Sequence, residues 1–289
     1  MSRDGFIVIN KDKGYTSRDV VNLVCKYLGT KKVGHTGTLD PLAEGVLVVL
    51  VGKATKVCEL VTSSSKEYIA TAMLGVDTDT LDITGNVLRR EKVSVTRDLV
   101  LEVLKSFVGK MMQEVPKYSA VSVNGRKLYD YARSNSYVDI PKRLINVYEI
   151  DLIGDLYEED GNVCFKFRCL VSKGTYIRSL IRDIGIRLGV CACMKSLVRT
   201  KQGEFKIEDS YTLMDISNNN YKLIKIEDAL SYIDRVVVSG DLEFRIRNGC
   251  SVVNTYNKDM VMFLSSSLEL IGIYKVSEDG MLRAWKMFL

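Results

Sequence analysis

One short segment of the chain collects several residues that could do chemistry. The sequence GHTGTLDPLAEGVL, residues 34–47, holds the chain's only histidine, His35, together with Asp40 and Glu44. Pro41 disfavours the helical region for the residue before it, so the Asp40 carboxylate is presented from an extended, sterically fixed backbone. A carboxylate fixed in this way suits a nucleophile or a base. An ordinary Asp-Pro turn explains the same pattern, and local physics leaves both interpretations open.

No other local pattern carries a complete catalytic or nucleotide-binding motif. In LVGKAT, residues 50–55, an alanine follows the lysine where a P-loop needs Ser or Thr. The acidic run DTDTLD, residues 77–82, lacks the glycine and the closing glutamate of a calcium loop, so we interpret it as a solvated turn. A Ser-His-Asp triad would have to use His35, which has no serine on a nucleophile elbow to accompany it.

The cysteines and the overall composition define the class of protein. The chain has 289 residues, of which 46% are hydrophobic and 27% charged, as in a globular protein. The longest aliphatic run, residues 46–51, is far shorter than the roughly 20 residues of a membrane span. Seven cysteines at scattered positions are typical of a reducing compartment, and we expect a cytoplasmic protein without a metal. A zinc site built from four of them is the less favoured alternative, since the short knuckle spacing is missing: Cys164, Cys169, Cys191 and Cys193.

Positive charge is concentrated in one part of the chain. Residues 166–206 contain ten Lys and Arg residues but only Asp183 and Glu204 as acidic residues. A localised basic surface suits a polyanionic partner such as a nucleic acid, because each neutralised phosphate releases counterions. A solvated helix face explains the same excess, so charge alone does not decide.

Alternating strands and helices surround the Asp40 loop. The aliphatic run at residues 46–51 lacks alternation, which predicts a strand buried on both faces. Further segments show strand or helix patterns: strands at 6–9, 67–74, 144–154 and 162–171, and helices at 53–62 and 97–107. Short apolar runs with closely spaced turns in residues 233–289 predict a small β-barrel or sandwich.

Two helices next to the candidate residues are predicted from capping and periodicity. Thr16 and Asp19 have the spacing of a capping box, so a helix begins near residue 17. A second helix follows residue 176, where apolar side chains recur at helical spacing: Ile177, Leu180, Ile181, Ile184 and Leu188. Arg178 and Arg182 are four residues apart and share another face, which predicts a helix with a core side and a basic side.

The Asp40 segment also resembles a known motif. It matches every defined position of G-H-T-G-x-L-D-P-L-A-x-G-x-L, the active-site motif of the bacterial tRNA pseudouridine-55 synthases, the TruB family. The resemblance continues in the same order through further segments: VGKATK (51–56), KEY (66–68), TDTLD (78–82), YSA and GRKLYDYAR (118–133) and SKGTYIRSLIRDIG (172–185). A weaker match, LRAWKMF at 282–288, is similar to the family's RNA-binding PUA module.

This resemblance implies a role for several residues. Asp40 matches the catalytic aspartate, and Arg178 matches the arginine that pairs with it and keeps it ionised. Tyr68 matches the aromatic residue that stacks on the target base, and Tyr176 matches the second active-site tyrosine. The remaining matches imply substrate-binding roles: Lys11 near the first strand, His35 in opening the T loop, and Leu197 as an apolar wall.

The resemblance further implies a fold and an activity. We expect the α+β pseudouridine synthase fold, with a central, largely antiparallel mixed sheet and flanking helices in residues 1–232 and a small PUA-like β module in 233–289. The implied activity is a cofactor-independent isomerase that converts the uridine at position 55 of tRNA to pseudouridine. It would act as a monomer on the T arm, without a guide RNA, a protein partner or a membrane. A non-catalytic RNA-binding protein, a synthase for another uridine and a hydrolase are the alternatives.

Overall fold

The computed structural model describes residues 4–289 of the chain. Its strands are β1 (Gly5–Lys11), β2 (Val33–His35), β3 (Glu44–Val51), β4 (Lys66–Leu74), β5 (Val76–Thr78), β6 (Val87–Arg90), β7 (Gly109–Glu114), β8 (Ser122–Val123), β9 (Arg126–Lys127), β10 (Lys142–Glu159), β11 (Asn162–Val171), β12 (Ala192–Gln202), β13 (Phe205–Lys206), β14 (Asp234–Val237), β15 (Val252–Val253), β16 (Met260–Leu264), β17 (Leu270–Val276) and β18 (Met281–Met287). Its α-helices are α1 (Ser17–Leu28), α2 (Cys58–Thr62), α3 (Arg97–Lys105), α4 (Leu128–Arg133), α5 (Ile177–Leu188), α6 (Leu213–Ser217), α7 (Ile226–Ala229) and α8 (Gly240–Arg247).

A nine-stranded sheet forms the centre of the molecule. Its main path runs β1-β3-β12-β4-β11-β10-β7, with β2 added to β3 and β13 added to β12. Every pair in this sheet is antiparallel except β12 with β3. The predicted α+β class with a largely antiparallel mixed sheet is therefore confirmed.

The aliphatic strand β3 is buried on both faces, as its lack of alternation predicts. Leu47, Val49 and Val51 belong to the larger core, which also contains the apolar faces of α1, α3 and α5. Val46, Val48 and Leu50 belong to a second core on the other side of the sheet. The Asp40 loop thus leads directly into the most buried strand of the protein.

Capping fixes the helix that follows β1. The Thr16 hydroxyl accepts a hydrogen bond from the backbone N–H of Asp19 at 3.1 Å, and the Asp19 carboxylate accepts one from the backbone N–H of Thr16 at 2.9 Å. Gly29 follows the last turn in the left-handed conformation, with φ of 64°. The predicted capping box is confirmed, and α1 lies against the Asp40 loop through a hydrogen bond from the Leu39 backbone N–H to the Ser17 hydroxyl.

A second, five-stranded sheet lies at the C-terminal end. Its order is β14-β16-β17-β18-β15, which confirms the predicted C-terminal β module. This sheet shares the second core with the central sheet, since Met262, Ile273 and Phe288 pack with residues of β1 and β3. Two lysines strengthen the contact: Lys53 donates to the Phe288 carbonyl at 2.5 Å, and Lys56 donates to the Met287 carbonyl at 2.7 Å.

Several elements differ from the sequence predictions. The helix predicted at 53–62 is a 3-10 segment, Gly52–Val57, followed by the short helix α2. Strands β7 and β12 were not predicted, because buried polar side chains such as Gln113 and Arg199 interrupt their apolar pattern. Helix α8 begins where a turn at Ser239 and Gly240 was predicted, and only Ile246 of this helix is buried. Such a weakly amphipathic segment carries little helical signal. None of the helices in residues 4–289 has the length and hydropathy to cross a membrane.

The single parallel strand pair of the central sheet depends on one glycine. Gly45, the second residue of β3, has φ of 97° and pairs with Arg199 of β12. A Cβ atom at Gly45 would lie 2.3 Å from the Arg199 carbonyl oxygen, far inside van der Waals contact. The close approach of the two backbones therefore requires glycine at this position.

We predict that Gly45→Ala destabilises the fold much more than Gly14→Ala. Gly14 is a matched control because its φ is 95°, yet a Cβ atom added there would have no other atom within 4 Å. Both substitutions strain the backbone, but only Gly45→Ala adds a steric clash, which we expect to cost about 1–3 kcal/mol of unfolding free energy beyond the control. Urea unfolding of the two variants measures the difference, and equal losses would contradict the assigned contact.

Candidate active site

Five of the seven predicted site residues line one cavity of about 550 Å³. The cavity lies where the Asp40 loop, β4, β12 and the start of α5 meet. The predicted residues that line it are Asp40, Tyr68, Tyr176, Arg178 and Leu197. Lys11 and His35 are not among the lining residues.

The central contact of the cavity is an ion pair between Asp40 and Arg178. The Nε atom of Arg178 lies 2.9 Å from Oδ2 of Asp40. The Nε–H is not aligned for a hydrogen bond, so the attraction is mainly coulombic. The remaining guanidinium nitrogens donate to the Thr80 carbonyl at 2.9 Å and the Tyr118 carbonyl at 3.0 Å. The arginine is thereby fixed by the protein backbone, and the carboxylate is fixed by the arginine.

The two partners differ in their exposure. The Arg178 side chain is 6% exposed, whereas the Asp40 side chain is 36% exposed. The carboxylate is therefore reachable from the cavity, while the cation that stabilises it lies behind it. The predicted basic face of α5 is wrong at this position, because Arg178 points inward to Asp40 and not to solvent.

A second carboxylate lies close to the same arginine. Oδ2 of Asp82 is 3.9 Å from Nη1 of Arg178, and the Asp82 side chain is only 8% exposed. Asp82 is held by Thr84, whose backbone N–H donates to Oδ1 at 2.9 Å, and by the Thr80 hydroxyl at 3.0 Å. The interpretation of residues 77–82 as a solvated turn is therefore wrong at its last residue. Its TDTLD sequence matched the family without indicating this inward position.

Aromatic and aliphatic side chains form the walls of the cavity. Tyr68 lies on β4 and is buried, and it pairs in register with Arg199 of β12. Leu197 lies on β12 opposite Ala70. Tyr176 precedes α5, and burial raises the pKa of its phenol, so this group is protonated at neutral pH. A flat ring that enters the cavity would meet these aromatic and aliphatic side chains and one carboxylate, with Lys66, Lys173 and Arg199 also in the lining.

Two sequence comparisons and the solved structures identify the family. Residues 25–177 match the N-terminal domain of the TruB family pseudouridylate synthases, and residues 178–242 match the C-terminal domain of tRNA pseudouridylate synthase B. The chain belongs to the TruB family. The tRNA pseudouridine synthase B of Staphylococcus saprophyticus is 43% identical over 85% of this chain and 84% of its own length. That of Geobacillus thermodenitrificans is 40% identical over 99% of both chains.

Solved structures of related proteins share the fold. A Cbf5–Nop10–Gar1 complex contains a chain that is 28% identical to this one, with a TM-score of 0.72, and the match covers 99% of this chain and 85% of that one. A structure of an H/ACA ribonucleoprotein bound to a substrate RNA containing 2'-deoxyuridine matches with a TM-score of 0.71 and 26% identity, again over 99% and 85% of the two chains. The pseudouridine synthase fold expected from the sequence is therefore confirmed.

In this TruB-family chain, Lys11 lies behind the Asp40 loop. Its side chain is fully buried, and its Nζ donates to the carbonyls of Asp12 at 2.9 Å and Tyr15 at 2.8 Å. Burial lowers the pKa of Lys11 to about 8, and nearby carboxylates, Glu44 first among them, oppose the shift. The lysine thus supports the loop between β1 and α1, and its substrate-binding role stays a prediction.

His35 also lies beside the cavity and not in its wall. It ends β2, and its Nδ1 accepts a hydrogen bond of 3.4 Å from the Gly37 backbone N–H. Burial is the largest cause that lowers the pKa of His35, and the positive charges of Arg18 and Arg199 lower it further. The imidazole is therefore neutral at neutral pH, next to the residues that carry Asp40. Its role in opening the T loop stays a prediction.

Two residues of β12 that sequence reasoning missed bind the loop that carries Asp40. Arg199 is 1% exposed, and it donates to the Val46 carbonyl at 2.6 Å and the Gly37 carbonyl at 3.0 Å. Gln202 is fully buried and donates from Nε2 to the Thr36 hydroxyl at 2.6 Å. The loop of Asp40 is thereby tied to the centre of the sheet. No local sequence pattern indicated this role, because Arg199 is one of ten cations in residues 166–206 and Gln202 belongs to no motif.

Several cations of the basic segment, residues 166–206, are paired with carboxylates within the protein. Arg168 forms ion pairs with three carboxylates, those of Glu67, Glu149 and Asp151. Lys195 is paired with Glu159. Strand β10 carries Glu149, Asp151 and Glu159, and strand β4 carries Glu67, so the sheet brings these acidic residues, distant in sequence, next to the cations. Much of the local charge excess is therefore neutralised within the protein.

The four cysteines of the zinc alternative are spread over the sheet. Cys164 and Cys193 both pair with Met73, from opposite sides, so strand β4 runs between them. Burial raises the pKa of Cys169 and of Cys193 to about 12, which keeps both as thiols. Within residues 4–289, no group of His, Cys, Asp or Glu side chains is arranged to hold a metal ion. The zinc alternative is wrong for these cysteines.

We predict that Lys11 makes stability increase with pH in the alkaline range. Its folded pKa of about 8 lies below its ordinary 10.5, so between these values the unfolded chain binds more protons. The cost of burying the charge is fully present below pH 8 and decreases as the pH rises toward 10.5. Relative to Lys11→Met, the wild type should gain unfolding free energy at no more than about 1.4 kcal/mol per pH unit.

Urea unfolding at several pH values between 7 and 10 measures this difference. Lys13→Met is the control, because Lys13 is an exposed lysine of the same loop. A wild-type advantage over Lys11→Met that does not change with pH would contradict the prediction.

Proposed function

We propose that this enzyme isomerises the uridine at position 55 in the T loop of tRNA to pseudouridine. The observation that carries the proposal is the reachable Asp40 carboxylate held at 2.9 Å by the buried Arg178 in a cavity of a TruB-family chain. The curated relatives named above are tRNA pseudouridine synthases, which supports tRNA as the substrate. The choice of uridine 55 rests on the match of residues 34–47 to the family motif.

The proposed reaction has a simple chemical balance. The bond between N1 of uracil and C1′ of ribose breaks, the ring turns, and a bond between C5 and C1′ forms. C5 loses its proton and N1 gains one, so nothing is oxidised or reduced and no group is lost. The reaction by itself calls for no redox cofactor and no nucleotide. It calls for a group that can act as a nucleophile or a base at the nucleotide, and for a site that holds the detached ring.

Asp40 is the proposed nucleophile or base. Its carboxylate must be ionised to act in either way, and the guanidinium of Arg178 lies 2.9 Å from it. Because the other guanidinium nitrogens donate to the Thr80 and Tyr118 carbonyls, the cation stays in place while the carboxylate reacts. The buried Asp82 carboxylate, 3.9 Å from Nη1 of Arg178, adds a second negative charge beside the cation.

The walls of the cavity are proposed to hold the uracil ring. A uridine in a folded loop must leave its stack before a carboxylate can reach it. Tyr68 then supplies an aromatic face, and a stacking contact of this kind contributes about 1–3 kcal/mol. Tyr176 and Leu197 close the remaining sides. His35, neutral and next to the loop of Asp40, is proposed to help open the T loop.

We propose that the protein acts alone, as a monomer in the cytoplasm, with the T arm as a sufficient substrate. The second sheet, within residues 233–289, is proposed as a PUA-like RNA-binding module. Its packing on the central sheet through Met262, Ile273 and Phe288 gives it a fixed place beside the catalytic domain. In the related solved complex, Cbf5 is assembled with Nop10 and Gar1, so the activity of the purified chain is the direct test.

We predict that Asp40→Asn abolishes isomerisation without loss of RNA affinity. The amide keeps the size of the side chain but removes the nucleophile or base, so the rate should fall more than about 10³-fold. Pseudouridine is mapped by nucleotide in an unmodified tRNA transcript and in an isolated T-arm stem-loop, and binding is measured separately. Turnover by Asp40→Asn would disprove the catalytic role. Binding without turnover by the wild type would favour the RNA-binding alternative.

We predict that Arg178→Ala lowers the rate far more than Arg187→Ala. Only Arg178 contacts Asp40, and removal of such a charge contact at a reacting group costs about 10²–10³-fold. Arg187 lies on the same helix and donates to the Ser106 hydroxyl at 3.1 Å, away from the cavity. Single-turnover rates on the stem-loop give the comparison. Equal losses would reduce Arg178 to one more RNA-binding cation.

A further inference from the structure

A glutamine outside the cavity binds the backbone of an active-site tyrosine. Gln113 lies on the edge strand β7 and is 1% exposed. Its Oε1 accepts a hydrogen bond of 2.8 Å from the backbone N–H of Tyr176, and its Nε2 donates to the backbone carbonyl of Tyr176 at 3.2 Å. Both ends of one side-chain amide are thus used on a single residue.

Gln113 pairs with the backbone N–H of Tyr176, whose ring packs against the small core of Val115, Val121 and Leu128. Tyr176 precedes α5 with φ of −101° and ψ of 114°, and it makes no side-chain cap to the helix. Its carbonyl accepts the helical hydrogen bond of Leu180 at 3.0 Å, but the N–H group points away from the helix. The side-chain amide of Gln113 therefore pairs with the N–H and carbonyl of Tyr176 as the backbone of a neighbouring strand would. It satisfies a backbone group that would otherwise be unpaired.

Strand β7 contacts α5 at a second place, which allows a comparison. The residue after Gln113 is Glu114, whose carboxylate lies 3.3 Å from Nη1 of Arg182. That ion pair is half-exposed and reaches the helix more than one turn after Tyr176. It holds the same helix against the same strand, but it does not contact the residue whose ring lines the cavity.

We infer that Gln113 is a positioning residue for the isomerisation step, which acts by fixing the ring of Tyr176 in the cavity. This inference rests on the proposed function. Gln113 does not line the cavity, so it acts through Tyr176 and not on the RNA. Reacting groups tolerate little displacement, and a support that locks a contacting side chain acts on the rate more than on the affinity.

The first test is the rate of a single turnover on the T-arm stem-loop at saturating enzyme. Gln113→Leu removes both hydrogen bonds, and we expect the rate constant to fall about tenfold or more, with the dissociation constant changed less than about twofold. Gln113→Glu keeps the acceptor for the Tyr176 N–H, so its rate should lie between those of Gln113→Leu and the wild type. Glu114→Gln, the matched control on the same strand, should leave the rate within about twofold of the wild type.

The second test is a double-mutant cycle with Tyr176→Ala. If Gln113 acts through the tyrosine ring, Gln113→Leu should not lower the rate further once the ring is absent. Losses that multiply would show that Gln113 stabilises the site in general and would overturn the inference. If Gln113→Leu does not fold, as thermal unfolding would show, the same cycle is measured with Gln113→Glu.

The outcomes separate this inference from the proposed function. Turnover by the wild type with an unchanged rate in Gln113→Leu overturns the positioning role alone. A rate loss that the Glu114→Gln control shows equally also overturns it. Absence of turnover by the wild type, on the stem-loop and on the full transcript, overturns the proposed function and this role with it.

Discussion

The surrounding structure depends on one buried cation, Arg178, which must be paired and hydrogen-bonded behind the accessible carboxylate of Asp40. Arg178 has almost no contact with water, and a buried charge is costly unless other groups replace its hydration. The carbonyls of Thr80 and Tyr118 supply part of that replacement, and Asp82 adds a second negative charge. The Asp40 carboxylate completes the set. Four separate segments of the chain must therefore meet at one guanidinium, and the cavity lies where they do.

The same principle explains the buried polar residues that contact the Asp40 loop. A loop that carries Asp40 in front of Pro41 has backbone carbonyls that face the protein interior, and each one needs a donor. Arg199 donates to the carbonyls of Gly37 and Val46, and Gln202 donates to the carbonyl and the hydroxyl of Thr36, both from β12 in the middle of the sheet. The parallel contact of β12 with β3, which only Gly45 permits, brings the donors within reach. The rigidity of the site thus depends on the sheet and not on the loop itself.

Sequence patterns predicted those elements that depend only on nearby residues or on simple burial. The capping box at Thr16 and Asp19 needs only neighbours three residues apart, and the aliphatic strand β3 needs only a two-sided core. The strand that carries Arg199 was not predicted, because a cation interrupts the apolar pattern of a buried strand. Such a cation can be buried only where carbonyls from distant parts of the chain accept its hydrogen bonds. The ion pairs of Arg168 escaped prediction for the same reason, since its partners come from other strands.

The sequence by itself determined the family and the mixed architecture, because motifs and hydrophobic patterns depend on residues close together in the chain. The same motif predicts chemistry at Asp40. The tertiary structure alone decided which charges are free and which are compensated. Asp82 became a buried neighbour of Arg178, and Gln113 became a backbone partner of Tyr176. Electrostatic and hydrogen-bond energies depend on distances of a few ångströms between groups that are far apart in sequence, and only folding sets those distances.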